Sequence, residues 1–177
     1  MEKSSKSIAI NYGLYLGAIL SLLTVVAYAI NLDLFTQIWF GISILILIIV
    51  LGIISISKSK KLFEGYISFK NAFTSYFITV LIGIVISALV SIVVFNFIDP
   101  EAANVLQEKI IDLQMQRLEN FNVPTEAIAQ AMEKMEEQGN MYSIANVLQS
   151  IIWQLAGFSV VGLIVAAIMK KNKPDTE

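Results

Sequence analysis

Residues 72–98 read AFTSYFITVLIGIVISALVSIVVFNFI, 27 residues without a single Asp, Glu, Lys or Arg. A helix rises about 1.5 Å per residue and the hydrocarbon layer of a bilayer is about 30 Å thick, so roughly 20 apolar residues cross it. The Ile and Val of this run are weak helix formers. An unpaired amide in hydrocarbon costs far more than propensity does, so the run is expected to be helical.

Three other stretches have the same character, at about 8–30, 37–57 and 144–169. The chain is 56% hydrophobic and 15% charged, against about a quarter charged for soluble domains. The expected fold is therefore all-α: a polytopic membrane protein with four transmembrane helices. Lys3 and Lys6 precede the first stretch and Ala27-Tyr28-Ala29 resembles a cleavage site. The apolar region exceeds the 7–15 residues typical of a signal peptide, so it is read as a retained span.

Lys and Arg set the expected orientation. Lys3, Lys6, Lys58, Lys60, Lys61, Lys70, Lys170, Lys171 and Lys173 fall on one side, and Lys109, Arg117 and Lys134 on the other. Nine against three makes the lysine-rich side cytoplasmic, with both ends of the chain there. Trp39 and Trp153 then belong at the outer interface.

Before residue 72 lies a basic inner loop, 58–71, that mixes lysines with Phe63, Tyr66 and Phe69. It is expected to lie along the lipid headgroups. Lys58, Lys60, Lys61, Lys170 and Lys171 are candidate contacts for anionic lipid, unless they serve topology alone. Beyond residue 98 comes the one sizeable water-facing element, an extracytoplasmic insert at 99–140. Asp99-Pro100-Glu101 is a helix start, and Val105, Leu106, Ile110, Leu113 and Leu118 supply an apolar side. Asn122-Val123-Pro124 breaks that helix. A second follows from Thr125 to about Gln138, with Ile128, Met132 and Met135 on one face and Gly139 at its end. Nine acidic residues, among them Glu136 and Glu137, against three basic ones leave this insert at a net −6. That charge suits either a cation or basic partner, or an ordinary solvated surface.

Small residues recur every four positions in two spans: Ala9, Gly13, Gly17 and Ser21, then Thr79, Gly83, Ser87 and Ser91. Such stripes let helix backbones approach closely in lipid. They are candidate packing faces, either toward each other within one bundle or toward a second copy or protein partner. The buried polar residues expected are Asn11, Thr24, Asn96, Gln149 and Gln154. Both hairpins start with a Lys shortly before a Tyr (Lys6 and Tyr12, Lys70 and Tyr76), compatible with duplication or with the positive-inside rule alone.

The sequence has no Cys and no His, which removes thiolate chemistry, the commonest general base and the commonest transition-metal ligands. No calcium-loop spacing occurs among the carboxylates. Cofactors and nucleic acid are not expected. Asp33 and Asp99, the carboxylates nearest the outer surface, read as loop and cap residues instead of hydrolase groups.

Tyr12-Gly13-Leu14-Tyr15-Leu16-Gly17, the run Gly65-Tyr66-Ile67-Ser68-Phe69 with Ala72-Phe73, the acidic insert and the lysine-rich end together resemble a bacterial membrane family. It is the family catalogued as domain of unknown function 4199, and the likeness covers about residues 6–171. The resemblance implies this architecture and a bacterial inner membrane, and carries no activity. Two functions are expected from different classes. One is a non-enzymatic accessory or scaffold subunit acting through helix packing and the insert. The alternative handles lipid or a small solute, for instance beside a polyprenyl-linked sugar or lipid enzyme. It requires a cavity between the spans, lined by groups such as Gln154, Asn96 and Tyr28.

Overall fold

The computed structural model describes residues 2–137, 139–171 and 173, without the side chains of residues 2–4 and 136. Helix α1 spans Glu2–Ile30, α2 Ile38–Leu62, α3 Phe69–Val93, α4 Pro100–Asn120, α5 Thr125–Glu137 and α6 Ile144–Met169. Of these, α1, α2, α3 and α6 are long and apolar enough to cross a membrane. The protein is an all-α polytopic membrane protein. Its outward face is apolar, with Ile168 77% and Trp153 72% exposed, as lipid-facing residues are and soluble surfaces rarely are. Gln138 and the side chains of Lys3 and Glu136, named above for charge and for a helix end, lie outside the described residues.

The helices outrun the apolar stretches at the lysine-rich end. Helix α2 continues through Lys58, Lys60 and Lys61, and α3 already begins at Phe69. In place of a loop over 58–71, the connection is a tight reversal over residues 63–68. Lysine is a good helix former, and nothing in residues 58–62 breaks the helix. The reversal comes at Glu64 (φ 56°) and Gly65 (φ 88°), two successive left-handed residues. Ser68 then caps α3 by accepting from the Asn71 amide at 3.3 Å. Ile67 is buried and exchanges two 2.9 Å backbone hydrogen bonds with Lys171, so the reversal clasps the end of α6.

At the opposite end, residues Leu32–Thr36 form a 3-10 turn between α1 and α2, and α3 finishes in a π-helical turn at Val94–Ile98. Asp99 caps α4 by accepting from the Ala102 amide at 2.9 Å. Its other oxygen accepts from the Tyr28 hydroxyl at 3.0 Å. Phe95 sits among Tyr28, Phe35 and Tyr142, with 4.5 Å between its ring centroid and that of Tyr142. With Val94, Ala102, Ala103 and Leu106 it makes a second small core that seats α4 on the bundle. Lys109 of α4 pairs with Asp33 of the 3-10 turn. Of the apolar side read on α4, Leu106 is buried and Val105 is exposed, because the seated face runs through the alanines.

Helix α3 is the centre of the bundle, packing most heavily on α1 and then on α6 and α2. Helices α1 and α3 both start at the lysine-rich end and so run parallel. A methyl group on Gly13 would lie 2.7 Å from Ile82 Cβ, one on Gly17 2.7 Å from Ile86 Cβ, and one on Gly83 2.5 Å from Leu16 Cγ. Below this contact the core is polar. Thr79 Oγ1 lies 2.8 Å from Ser55 Oγ, 2.9 Å from Ser75 O and 3.1 Å from Ala9 O. Ser75 Oγ stands 3.1 Å from Ser59 Oγ and 3.2 Å from Ser5 Oγ. All five hydroxyl residues are buried, and they tie α1, α2 and α3 together. Tyr76, 1% exposed, fills the space between α2 and α6. A methyl on Gly52 would come within 2.4 Å of its Cε2, and one on Gly162 within 2.6 Å of its Cδ1.

Gly17→Ala is expected to lower stability by about 1–3 kcal/mol, since neither backbone can yield cheaply. Gly157→Ala, where no atom lies within 4 Å, should shift it by less than about 0.5 kcal/mol. Thermal unfolding of the two variants in one detergent checks this. The Tyr76 hydroxyl has no hydrogen-bond partner among the described residues. Tyr76→Phe should therefore leave stability unchanged or raise it by about 1 kcal/mol, and a clear loss in the same assay would contradict this.

Candidate functional site

Toward the insert end the four spans part around a cavity of about 380 Å³. Its apolar walls include Leu20, Ile44, Ile48, Ile84 and Val147. Its polar groups are Thr24 from α1, Ser87 and Ser91 from α3, Ser150 and Gln154 from α6, and Tyr142 from the segment before α6. Among the described residues no Asp, Glu, Lys or Arg lines it. Burial pushes the Tyr142 phenol up to about 12, so that group too stays neutral and protonated. A binding pocket of a few hundred Å³ with mostly apolar walls and a few hydrogen-bonding groups is the ordinary form of a small-molecule site.

Two further spaces adjoin this cavity. One of about 390 Å³ lies between α4, α5 and the start of α6 and shares Met141 and Ser150 with it. Among the described residues its polar lining is again uncharged, with Gln107, Gln114, Asn146 and Gln149, and Trp153 stands at its edge. The other is a groove between α2 and α6 of about 300 Å³ that shares Gln154. Its remaining walls are Leu45, Ile49, Gly157, Phe158 and Val161, all apolar. Helices α2 and α6 touch only sparsely, and Gly157 removes the side chain that would close the gap.

The segment between α5 and α6 shapes this region. Asn140 donates to Asn104 Oδ1 at 2.7 Å, and its own Oδ1 accepts from the Tyr142 amide at 2.8 Å. The Met141 amide donates to Gln107 Oε1 at 3.1 Å. Asn96 donates to Tyr142 O at 2.8 Å, joining α3 to this segment across the cavity's rim. These bonds hold Met141 and Tyr142 between the two spaces.

The two stripes of small residues divide between packing and lining. Ala9, Gly13, Gly17, Thr79 and Gly83 lie at the contact of α1 with α3. The Ser21 hydroxyl is buried without a partner among the described residues, while Ser87 and Ser91 face the cavity. Of the polar residues singled out for a cavity, Gln154 lines it, Tyr28 is engaged by Asp99, and Asn96 by Tyr142. Gln149 lines the outer space, and Asn11 is exposed. Ser150 and Tyr142 were not singled out from the sequence. The spacing of Asn146, Ser150 and Gln154, four residues apart on α6, is the signal that marks such an edge.

At the lysine-rich end, Lys60 donates to Met169 O at 3.0 Å and so caps the end of α6. The Lys171 ammonium lies 5.3 Å from the centre of the Tyr66 ring. Lys58, Lys61 and Lys170 are exposed.

No curated protein and no solved structure matches the chain. The family model described as "Protein of unknown function (DUF4199)" matches residues 11–171. That range takes in most of the first span, the other three spans, the clasp at Gly65–Phe69 and the insert, and the chain accordingly belongs to the DUF4199 family.

Proposed function

We propose that the protein is a non-enzymatic membrane protein that binds an uncharged amphiphile taken from the surrounding leaflet. The polar head would sit in the cavity between the spans and the tail in the groove between α2 and α6. One observation carries this reading: the polar cavity and the apolar groove meet at Gln154. A hydrogen-bonding chamber that gives onto an apolar slot facing lipid has the same polar-to-apolar order as a lipid molecule.

The head should be uncharged. An ion in a site of low dielectric needs a counter-charge, and the cavity wall supplies none. Thr24, Ser87, Ser91, Ser150 and Gln154 can both donate and accept hydrogen bonds, which suits a hydroxyl, carbonyl or amide head. Diacylglycerols, isoprenoid alcohols and quinones all meet that description. The nine-to-three division of Lys and Arg supports a bacterial inner membrane with both ends in the cytoplasm, and hence an occupant from the outer leaflet.

A second reading, an accessory subunit, is favoured by α6, the span least buried within the bundle. Its outward residues Ile152, Val160 and Ile164 would meet a partner's helix in place of lipid.

Gentle extraction of the tagged protein, intact mass of the complex and analysis of the bound lipid test both. The expected result is one chain carrying a neutral lipid, lost in Gly157→Trp, which fills the groove from open space, and weakened several-fold in Gln154→Leu. A defined protein partner with no bound lipid, or lipid retained unchanged by both variants, would overturn the amphiphile reading. The first of these outcomes would favour the accessory subunit.

A further inference from the structure

A separate space of about 300 Å³ opens at the lysine-rich end, between the first turns of α1 and α3. Ser5 and Lys6 form one wall, and Lys70, Asn71, Thr74 and Ser75 the other. Among the described residues no carboxylate lines it. The ion pairs among the described residues join Lys109 to Asp33 and Lys173 to Glu64, and neither Lys6 nor Lys70 takes part in one. Because α1 and α3 run parallel, their positive helix ends point the same way, and both flank this space. Ile78 closes it on the membrane side.

We infer that this pocket binds the phosphate of an anionic phospholipid from the lysine-side leaflet. Two ammonium groups, the Thr74 hydroxyl and the Asn71 side chain present hydrogen-bond donors to a single oxyanion, and Ile78 meets the glycerol end of the acyl chains. The neighbouring space around Tyr66 and Ser68 differs in kind, because Glu64 lies in it and pairs with Lys173 at 3.7 Å. Among the described residues the pocket at Lys6 and Lys70 contains no such pair. Its floor is the buried hydroxyl chain of Ser5, Ser75 and Ser59, so a bound phosphate would also fix the spacing of α1 against α3. This site stands apart from the cavity toward the insert end and does not depend on what that cavity holds.

Native mass spectrometry of the full chain, released from phosphatidylcholine nanodiscs containing phosphatidylglycerol, tests the inference. The wild-type protein should retain phosphatidylglycerol. Lys6→Gln/Lys70→Gln should weaken retention about 30-fold, since each lysine near an anionic surface is worth roughly a fivefold factor. Lys6→Arg/Lys70→Arg should keep binding, and Lys58→Gln/Lys61→Gln, outside the pocket, should change it less than about threefold. Equal losses from the two glutamine pairs, or no loss from the first, would overturn the pocket. Displacement of the lipid by millimolar inorganic phosphate would overturn the lipid assignment and leave a soluble phosphate as the occupant.

Discussion

Helices in lipid gain nothing from hiding apolar surface, so their association rests on how closely backbones can approach and on hydrogen bonds between them. Here that condition is met along one seam. Gly13 and Gly17 of α1 accept Ile82 and Ile86 of α3, and Gly83 returns the favour to Leu16. The approach brings the Ala9 carbonyl to Thr79 and the Ser5 hydroxyl to Ser75, and through these Ser55 and Ser59 of α2. Bonds of this kind contribute about 0.6 kcal/mol each in a membrane, so no single one decides the fold. Their effect comes from being clustered where the backbones cannot separate.

With α3 anchored to α1 and α2 at the lysine-rich half, its other half has room to do something else. Tyr76, within the lysine-rich half, wedges between Gly52 and Gly162 and joins α6 to the bundle. Farther along, α3 presents Ser87 and Ser91, too small to fill the space opposite Ser150 and Gln154. The end of the bundle is then held by the insert: the Phe95 aromatic cluster, the Asp99 cap and the Asn140–Tyr142 segment close over it. A bundle tight at one end and bridged at the other encloses the cavity on which the proposed function rests.

The sequence made the spans plain because charge exclusion over some 20 residues is a signal that tertiary context cannot reverse. It also marked the insert's helix starts, since the Asp99-Pro100 and Pro124-Thr125 pairs act locally. Helix ends at the lysine-rich side were less visible, because lysines continue a helix as readily as they leave one. The hydroxyl chain was harder still. Ser5, Ser55, Ser59 and Ser75 lie in three different segments, and serine at a helix end usually caps or faces solvent. Stripe periodicity identified the residues that are small, but not which of them meet a neighbour and which line a space. That distinction depends on how α6 tilts against α3, which no local pattern encodes. The Gly65–Phe69 run stood out in sequence, while its role in clasping α6 through Ile67 and Lys171 emerged only from the fold.

The chain contains no native cysteine, so single cysteines report on their surroundings without background. The most direct measurement is the labelling rate of Ser87→Cys, Ser150→Cys and Leu163→Cys in delipidated protein reconstituted into phosphatidylcholine vesicles, with a polar, membrane-impermeant thiol reagent on both sides. Ser87 and Ser150 line the cavity and Leu163 is exposed on the outward face of α6. The account predicts rapid labelling at the first two positions and none at the third. Labelling at Ser87 and Ser150 as slow as at Leu163 would mean that the spans close on one another and no such cavity exists.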